Sequence, residues 1–445
     1  MMAVIFLTAI ITSCDKSAED EATEPAELKE LKLSVPMVND WIFDGEVKFA
    51  IQVENPNKVE MDVAVTVYLR TDTKKSLPNY TKEVKVPAGK SDIDISFPLE
   101  PGFYRAICMA NKATIRSFVF GVSPKLISSP PDKQPDFDKY WDDAVAQLEG
   151  IQMNATLTEL PSRSTAARKA YLVEMQSVPD GLSGDPVTIR GYYLEPTDGK
   201  KHPVIMHFQP YDDNPPAYAV SCPSGGNSQD FAEFTLSHRG QYINNRPASL
   251  RSPDDGKGDL VNPYGDWFAF HFSQKDGYYY RGAFLDCVQA IRFMGTRETS
   301  DMDNIFAEGA SQGGALSYAA AALSPYPLRA IAPCVAFLGD FPDYFKIVTW
   351  PGNTARANKG DMTDEQMYAF LSYFDTKNLA TRIHCAVLAC SGLLDETCPP
   401  HTNTAPFNNL DVSDKKMIYY PNMKHEQPKD WGSKYMIFFK ERIQQ

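Results

Sequence analysis

Lysine and arginine form no cluster in this chain, and the formal charge is −13, from 44 basic and 57 acidic residues. Phosphate backbones are held by clustered cations, so nucleic acid is excluded as a partner. A neutral polysaccharide or a small ester tolerates such an acidic protein. Long apolar runs are also lacking: residues 1–12 are almost wholly apolar but too short to span a bilayer. None of the eight cysteines stands at metal-ligand spacing with histidine, and no metal or organic cofactor is expected. Several lie in apolar runs and read as small core residues. What is present is ordinary for a folded protein. A hydrophobic content of 43% excludes wholesale disorder, and 445 residues suffice for two domains, each with a core.

The first residues read as an address. The apolar run ends Ile10-Ile11-Thr12-Ser13-Cys14, which resembles a bacterial lipoprotein signal peptide (residues 1–14) whose mature chain begins at a lipidated Cys14. It departs from that pattern in having no Lys or Arg ahead of the apolar run. Residues 15–27 form a hydrophilic, acidic tether. The expectation is an exported lipoprotein, periplasmic or anchored at the outer membrane or cell surface through Cys14. With Cys14 set aside, seven cysteines are left, so at least one is unpaired.

Residues 28–123 are β in pattern. Glu46 to Val53 and Val63 to Leu69 alternate with period two, and shorter runs follow at Glu83–Val86, Ile93–Phe97, Phe103–Ile107 and Ile115–Phe120. About seven strands at this spacing suggest an immunoglobulin-like β-sandwich. It carries no nucleophile, metal cluster or obvious binding strip, and reads as a spacer or packing domain. Ser128-Ser129-Pro130-Pro131-Asp132 marks a linker. An amphipathic helix follows, with Phe137, Tyr140, Trp141, Ala144 and Leu148 on one face. From there, within the segment 124–445, strands and helices alternate, which argues for a mostly parallel sheet covered on both faces.

Gly309-Ala310-Ser311-Gln312-Gly313 sits between a short buried strand and a small, apolar helix ended by Pro325. That is a nucleophile elbow, a tight turn that lifts the serine hydroxyl clear of the sheet. A serine hydroxyl needs a base beside it, and the base needs an orienting acid. Downstream of Ser311 stand His384, His401 and His425. His384 opens a strand at the wrong end of the sheet, and His401 follows the best acid, Asp395, by too little chain for a strand between them. His425 lies in the loop after the strand ending at Tyr420, where α/β sheets meet their ligands. Asp395 occupies the loop after the strand ending at Cys390, with Glu396, Asp340 and Asp343 as rivals.

Arg239-Gly240-Gln241, Gly309-Ala310-Ser311-Gln312-Gly313 and His425-Glu426 stand in order along the chain. Together they resemble the signatures of the acetyl xylan esterase and cephalosporin C deacetylase family (carbohydrate esterase family seven) of α/β-hydrolases. Further likeness runs through Phe137-Asp138-Lys139-Tyr140-Trp141, Tyr279-Tyr280-Arg281 and Leu394 to Pro400, and covers about residues 125–445. The resemblance implies an α/β-hydrolase fold, with Ser311 as nucleophile, Asp395 as acid and His425 as base. It implies an oxyanion hole made by the backbone N–H groups of Gln312 and Tyr211, and loop-bracing roles for Arg239 and Gln241. It also implies an acetylated carbohydrate as substrate, most plausibly xylan fragments, and a homo-oligomer, hexameric in the family. The chain departs from the family at Asp212-Asp213-Asn214-Pro215-Pro216, in the region Tyr242 to Gly265, and in its added β module. Those departures leave the triad untouched and leave assembly open. Two other readings stay open at this point: a prolyl-oligopeptidase-like serine peptidase, and a non-catalytic surface glycan-binding lipoprotein.

Overall fold

The computed structural model describes residues 28–181, 184–211, 230–241 and 262–444, together with Val220 and Ile243. Cys14, the tether 15–27, Cys222, the Asp212–Pro216 stretch and most of the region Tyr242 to Gly265 lie outside the described residues.

The N-terminal module holds β1 (Lys32–Ser34), β2 (Ile42–Phe43), β3 (Val47–Asn55), β4 (Met61–Thr71), β5 (Tyr80–Val86), β6 (Gly89–Phe97), β7 (Gly102–Ala110) and β8 (Ala113–Val122). They form two sheets, ordered β1-β3-β6 and β2-β8-β7-β4-β5. Alternation dictates the packing: Val47, Phe49, Ile51 and Val53 of β3 turn inward while Lys48 and Gln52 face water. Val65, Val67 and Ala106 of the second sheet meet them in one shared core, where Trp41 stacks on Phe118 at 3.9 Å. Eight strands are described where about seven were expected. β1 and β2 are three and two residues long, too short for period-two alternation to show.

The second sheet system comprises β9 (Thr156–Glu159), β10 (Arg168–Pro179), β11 (Pro186–Pro196), β12 (His202–Phe208), β13 (Ala232–Ser237), β14 (Ser300–Ala310), β15 (Ala330–Cys334), β16 (Ala386–Gly392) and β17 (Lys415–Tyr420). Their order is β17-β16-β15-β14-β12-β13-β11-β10-β9. From β13 to β17 all neighbours pair in parallel, and β11, β10 and β9 extend the sheet antiparallel. Both faces are covered. Val204 and Met206 of β12 belong to the core under the helices Phe137–Glu149, Tyr279–Met294 and Gln312–Leu323, while Ile205 joins the opposite core under Trp431–Lys440. That is why these strands read as continuous apolar runs rather than as alternating ones. The helix Tyr279–Met294 takes the aromatic Tyr279-Tyr280 pair as its first turn.

The segment between module and sheet is pinned rather than slack. Ser129 Oγ donates to Asp340 Oδ2 at 2.6 Å, Asn409 donates to the Ser129 carbonyl, and Asn408 donates to the carbonyls of Pro124 and Ile127. Two further contacts tie the module down. Phe103 packs against Tyr419, and Leu393, just beyond β16, lies inside the module's own core with 2% exposure. His401 stands between Asp72 of the module and Asp340 and Asp343 of the larger unit. Burial opposes its positive charge, but hydrogen bonds to the three aspartates outweigh this and raise its pKa to about 11.

Leu393→Ala is therefore expected to lower the unfolding free energy by about 2–5 kcal/mol, the range for a buried leucine. A fall in the urea midpoint at unchanged slope measures this; an unmoved midpoint contradicts the shared core.

Candidate active site

β14, β16 and β17 run parallel, so the loops that leave them open on the same edge of the sheet. Those loops carry Ser311, Asp395 and His425. Ser311 has φ 57° and ψ −119°, a conformation that non-glycine residues avoid. Its neighbours make the turn possible. A Cβ on Gly309 would lie 2.5 Å from the Gly313 backbone, and one on Gly313 would lie 2.3 Å from the Phe208 carbonyl. Hydrogen bonds from Ser311 N–H to the Cys334 carbonyl and from Phe337 N–H to the Ser311 carbonyl, both 2.9 Å, hold the turn down.

The acid and histidine loops are laced to each other by their backbones. Leu393 N–H donates to the Tyr420 carbonyl and Leu394 N–H to the Met423 carbonyl, each at 3.0 Å. Gly392 must be glycine, because a Cβ there would meet the Met423 carbonyl at 2.4 Å. The lacing brings Asp395 Oδ2 within 2.8 Å of His425 Nδ1, and His425 Nε2 within 2.9 Å of Ser311 Oγ. The other carboxylate oxygen of Asp395 accepts from Thr397 and Cys398 N–H, both at 2.8 Å, so the buried charge is satisfied on both sides. Burial works against a charged His425, yet hydrogen bonds to Asp395 and Cys398 outweigh it and raise its pKa above 6.5. The arrangement can take a proton from the serine and hold the resulting imidazolium.

The rivals are placed elsewhere. Glu396 is exposed and pairs with Arg105 of the module at 3.2 Å. Asp340 and Asp343 face His401, not His425, and Asp340 also meets Lys377 at 3.0 Å. His384 is exposed. Glu426 is exposed beside His425.

Gln312 opens the helix Gln312–Leu323, so its backbone N–H has no intrahelical partner and stands beside Ser311 at the positive end of the helix dipole. Its side chain is fixed by a network that sequence reasoning missed. Tyr280 O–H donates to Gln312 Oε1 at 2.9 Å, and Gln312 Nε2 lies 2.8 Å from His238 Nε2. Burial lowers the His238 pKa to about 4, so the ring is neutral. Its Nε2 accepts from Gln312, which assigns the ring proton to Nδ1, 3.0 Å from Tyr279 Oη. Tyr279 in turn donates to the Arg239 carbonyl at 2.9 Å. The one available signal was that His238 immediately precedes Arg239-Gly240-Gln241.

Arg239 is buried and forks onto Asp286 through Nε at 2.9 Å and Nη2 at 2.7 Å, while Ser177 donates to the same carboxylate. Gly240 has φ 77°, and a Cβ there would also strike Tyr264 at 2.6 Å. Gln241 N–H donates to the His238 carbonyl, and its own carbonyl accepts from Ser237 Oγ. Arg239-Gly240-Gln241 thus braces the loop next to Gln312. Tyr211 lies three residues beyond the end of β12, its hydroxyl on Asp266 at 2.9 Å and its ring against Trp267, Phe337 and Trp350. The six described free cysteines (Cys108, Cys287, Cys334, Cys385, Cys390 and Cys398) are all buried.

A mostly parallel sheet covered on both faces, a strained elbow and a hydrogen-bonded Ser–His–Asp relay define a serine hydrolase of the α/β-hydrolase class. Residues 128–443 match the family model described as acetyl xylan esterase (AXE1). The chain belongs to that family and is a carboxylic ester hydrolase. It is 22% identical over 430 residues to acetyl esterase Axe7A of Xylanibacter ruminicola, covering 93% of this chain and 91% of that protein. Among solved structures it resembles acetyl xylan esterase 1 from Thermoanaerobacterium sp. JW/SL YS485, at 25% identity and TM-score 0.57, over 72% of this chain and 98% of that one. It also resembles an acetyl xylan esterase from Paenibacillus sp. R4, at 27% identity and TM-score 0.58 with the same coverage.

The raised pKa of His425 sets the sign of the pH dependence. The base form populates only as pH rises through that pKa, so kcat/KM is expected to climb with an acidic limb alkaline of 6.5. Asp395→Asn is expected to move the limb to lower pH and cut kcat by about 10⁴-fold. A limb that stays in place in the variant excludes the ion pair as its cause.

Proposed function

We propose that this chain hydrolyses O-acetyl groups from acetylated xylan or xylo-oligosaccharides through an acetyl-enzyme intermediate. The observation that carries the reading is the continuous Ser311–His425–Asp395 hydrogen-bond relay in a member of the acetyl xylan esterase family. Ser311 Oγ attacks the acetyl carbonyl as its proton passes to His425 Nε2, and Asp395 steadies the imidazolium. The backbone N–H groups of Gln312 and Tyr211 hold the oxyanion. His425 then protonates the departing sugar oxygen, and water deprotonated by the same ring releases acetate and restores the serine. The buried rings of Trp267 and Phe337 hold Tyr211 in place, and the partly exposed ring of Trp350 beside it offers the acetyl methyl an apolar surface.

The N-terminal sheets fit an immunoglobulin-like module. Residues 1–14 fit a lipoprotein signal with Cys14 as the lipid anchor of an exported, membrane-attached enzyme. Those residues lie outside the described part, and the support is the apolar run ending Ser13-Cys14.

Acetate release from acetylated xylo-oligosaccharide and from p-nitrophenyl acetate tests the reading. Ser311→Ala is expected to lose about 10⁴-fold or more in kcat, and a fluorophosphonate probe is expected to label wild type but not the variant. Equal turnover by both proteins sinks the assignment, and cleavage of a proline-containing peptide in place of the esters would make the chain a peptidase.

A further inference from the structure

The module does more than pack against the acid loop; between the two lies a cleft of about 540 Å³. Arg70, Asp72, Lys74 and Arg105 line it from the module, and Asp395 and Trp350 line it from the catalytic unit. Trp350 also stands 5.7 Å from the Tyr211 ring, so one indole borders both the cleft and the surroundings of Ser311. The cleft reaches the catalytic side chains through Asp395, which holds His425, and through Trp350, which stacks on Phe337 beside the Ser311 backbone.

The charge of the cleft is the unusual part. Arg70 of β4 and Arg105 of β7 stand directly opposite each other in the sheet register, on the outward face. Like charges in that position destabilise a sheet, and only Arg105 has an ion pair that offsets this, so folding gives no reason for Arg70. Glu396 engages Arg105, and Asp72 is taken by His401. Among the described residues no carboxylate pairs with Arg70 or with the exposed Lys74 next to it. In a protein of net charge −13, Arg70 and Lys74 thus stand on the cleft wall without a carboxylate partner among the described residues, while its acids Asp72, Asp395 and Glu396 are each engaged by another group. A guanidinium fork matches a planar carboxylate best.

We infer that this cleft is a subsite for the sugar chain of the substrate, and that Arg70 and Lys74 select O-acetylated oligosaccharides bearing a uronic-acid carboxylate. The inference rests on the acetyl esterase reading and adds to it the charge of the substrate. The module thereby becomes a specificity element of the enzyme. Its residues touch the leaving-group sugars and act through binding, while the chemistry stays with Ser311.

The test compares two acetylated xylo-oligosaccharides of equal length, one neutral and one bearing a single glucuronic acid branch, as substrates for wild type and Arg70→Gln/Lys74→Gln. Wild type is expected to favour the acidic substrate by about three- to tenfold in kcat/KM, the size of one charge-assisted contact at a partly exposed site. The preference is expected to appear in KM, to shrink at high salt, and to fall to near parity in the variant. Relief of the opposed arginines predicts a thermal midpoint in Arg70→Gln no lower than in wild type, so lost folding does not mimic lost selectivity. Equal kcat/KM for both substrates in wild type overturns the inference, as does a preference that survives in the double variant. Failure to release acetate from any ester, p-nitrophenyl acetate included, overturns the esterase reading instead, so the two failures are separable.

Discussion

Leu393 sits in the core of the N-terminal sheets, and two residues further along the chain stands the carboxylate that orients His425. The acid loop is thus clamped from two sides. Backbone hydrogen bonds tie it to the histidine loop, and apolar burial ties it to a module that contributes no triad residue. A displacement of about 1 Å in such a relay is enough to cost two orders of magnitude in rate. The module is therefore part of the geometry of the site, even though sequence patterning marks it as a separate unit.

Buried polar groups supply the second level of rigidity. The Arg239–Asp286 fork and the Tyr280–Gln312–His238–Tyr279 chain lie behind the elbow, and none of these side chains is needed as a reactant. A fully satisfied buried network holds one arrangement firmly, because every alternative leaves a polar atom unpaired in low dielectric. The glutamine of Gly-Ala-Ser-Gln-Gly is explained in this way. Its backbone faces the site, and its side chain anchors the helix start to the loop that carries Arg239. Gly282 completes the fit, since a Cβ there would collide with the Arg239 guanidinium at 2.1 Å.

The parallel sheet was legible where both faces are covered, which makes the central strands β15 and β16 nearly continuous apolar runs, and the relay because Ser311, Asp395 and His425 follow strands in chain order. His425 could be singled out by counting strands, since a loop after β17 shares its edge of the sheet with the elbow. Other parts were not legible. Asp286, the partner of Arg239, lies 47 residues away on a helix face that reads as interior packing. His238 lacks the positional signal that marks His425, because in this class the base follows the serine along the chain and His238 precedes it. That Leu393 leaves its own domain for a neighbouring core is invisible to periodicity, which reports that a residue is buried but not in which core. The opposed arginines were hidden for a similar reason: Arg70 and Arg105 become neighbours only through the register of β4 and β7.

The backbone at Ser311 has a consequence for how such a protein changes over generations. With φ at 57° and ψ at −119°, the residue occupies a region where only glycine is comfortable. A serine held there carries about 1–3 kcal/mol of strain. Glycine at 311 would release that strain and at the same stroke delete the nucleophile. At this one position the substitution that favours a firmer fold ends catalysis, so selection for durability and selection for activity pull in opposite directions.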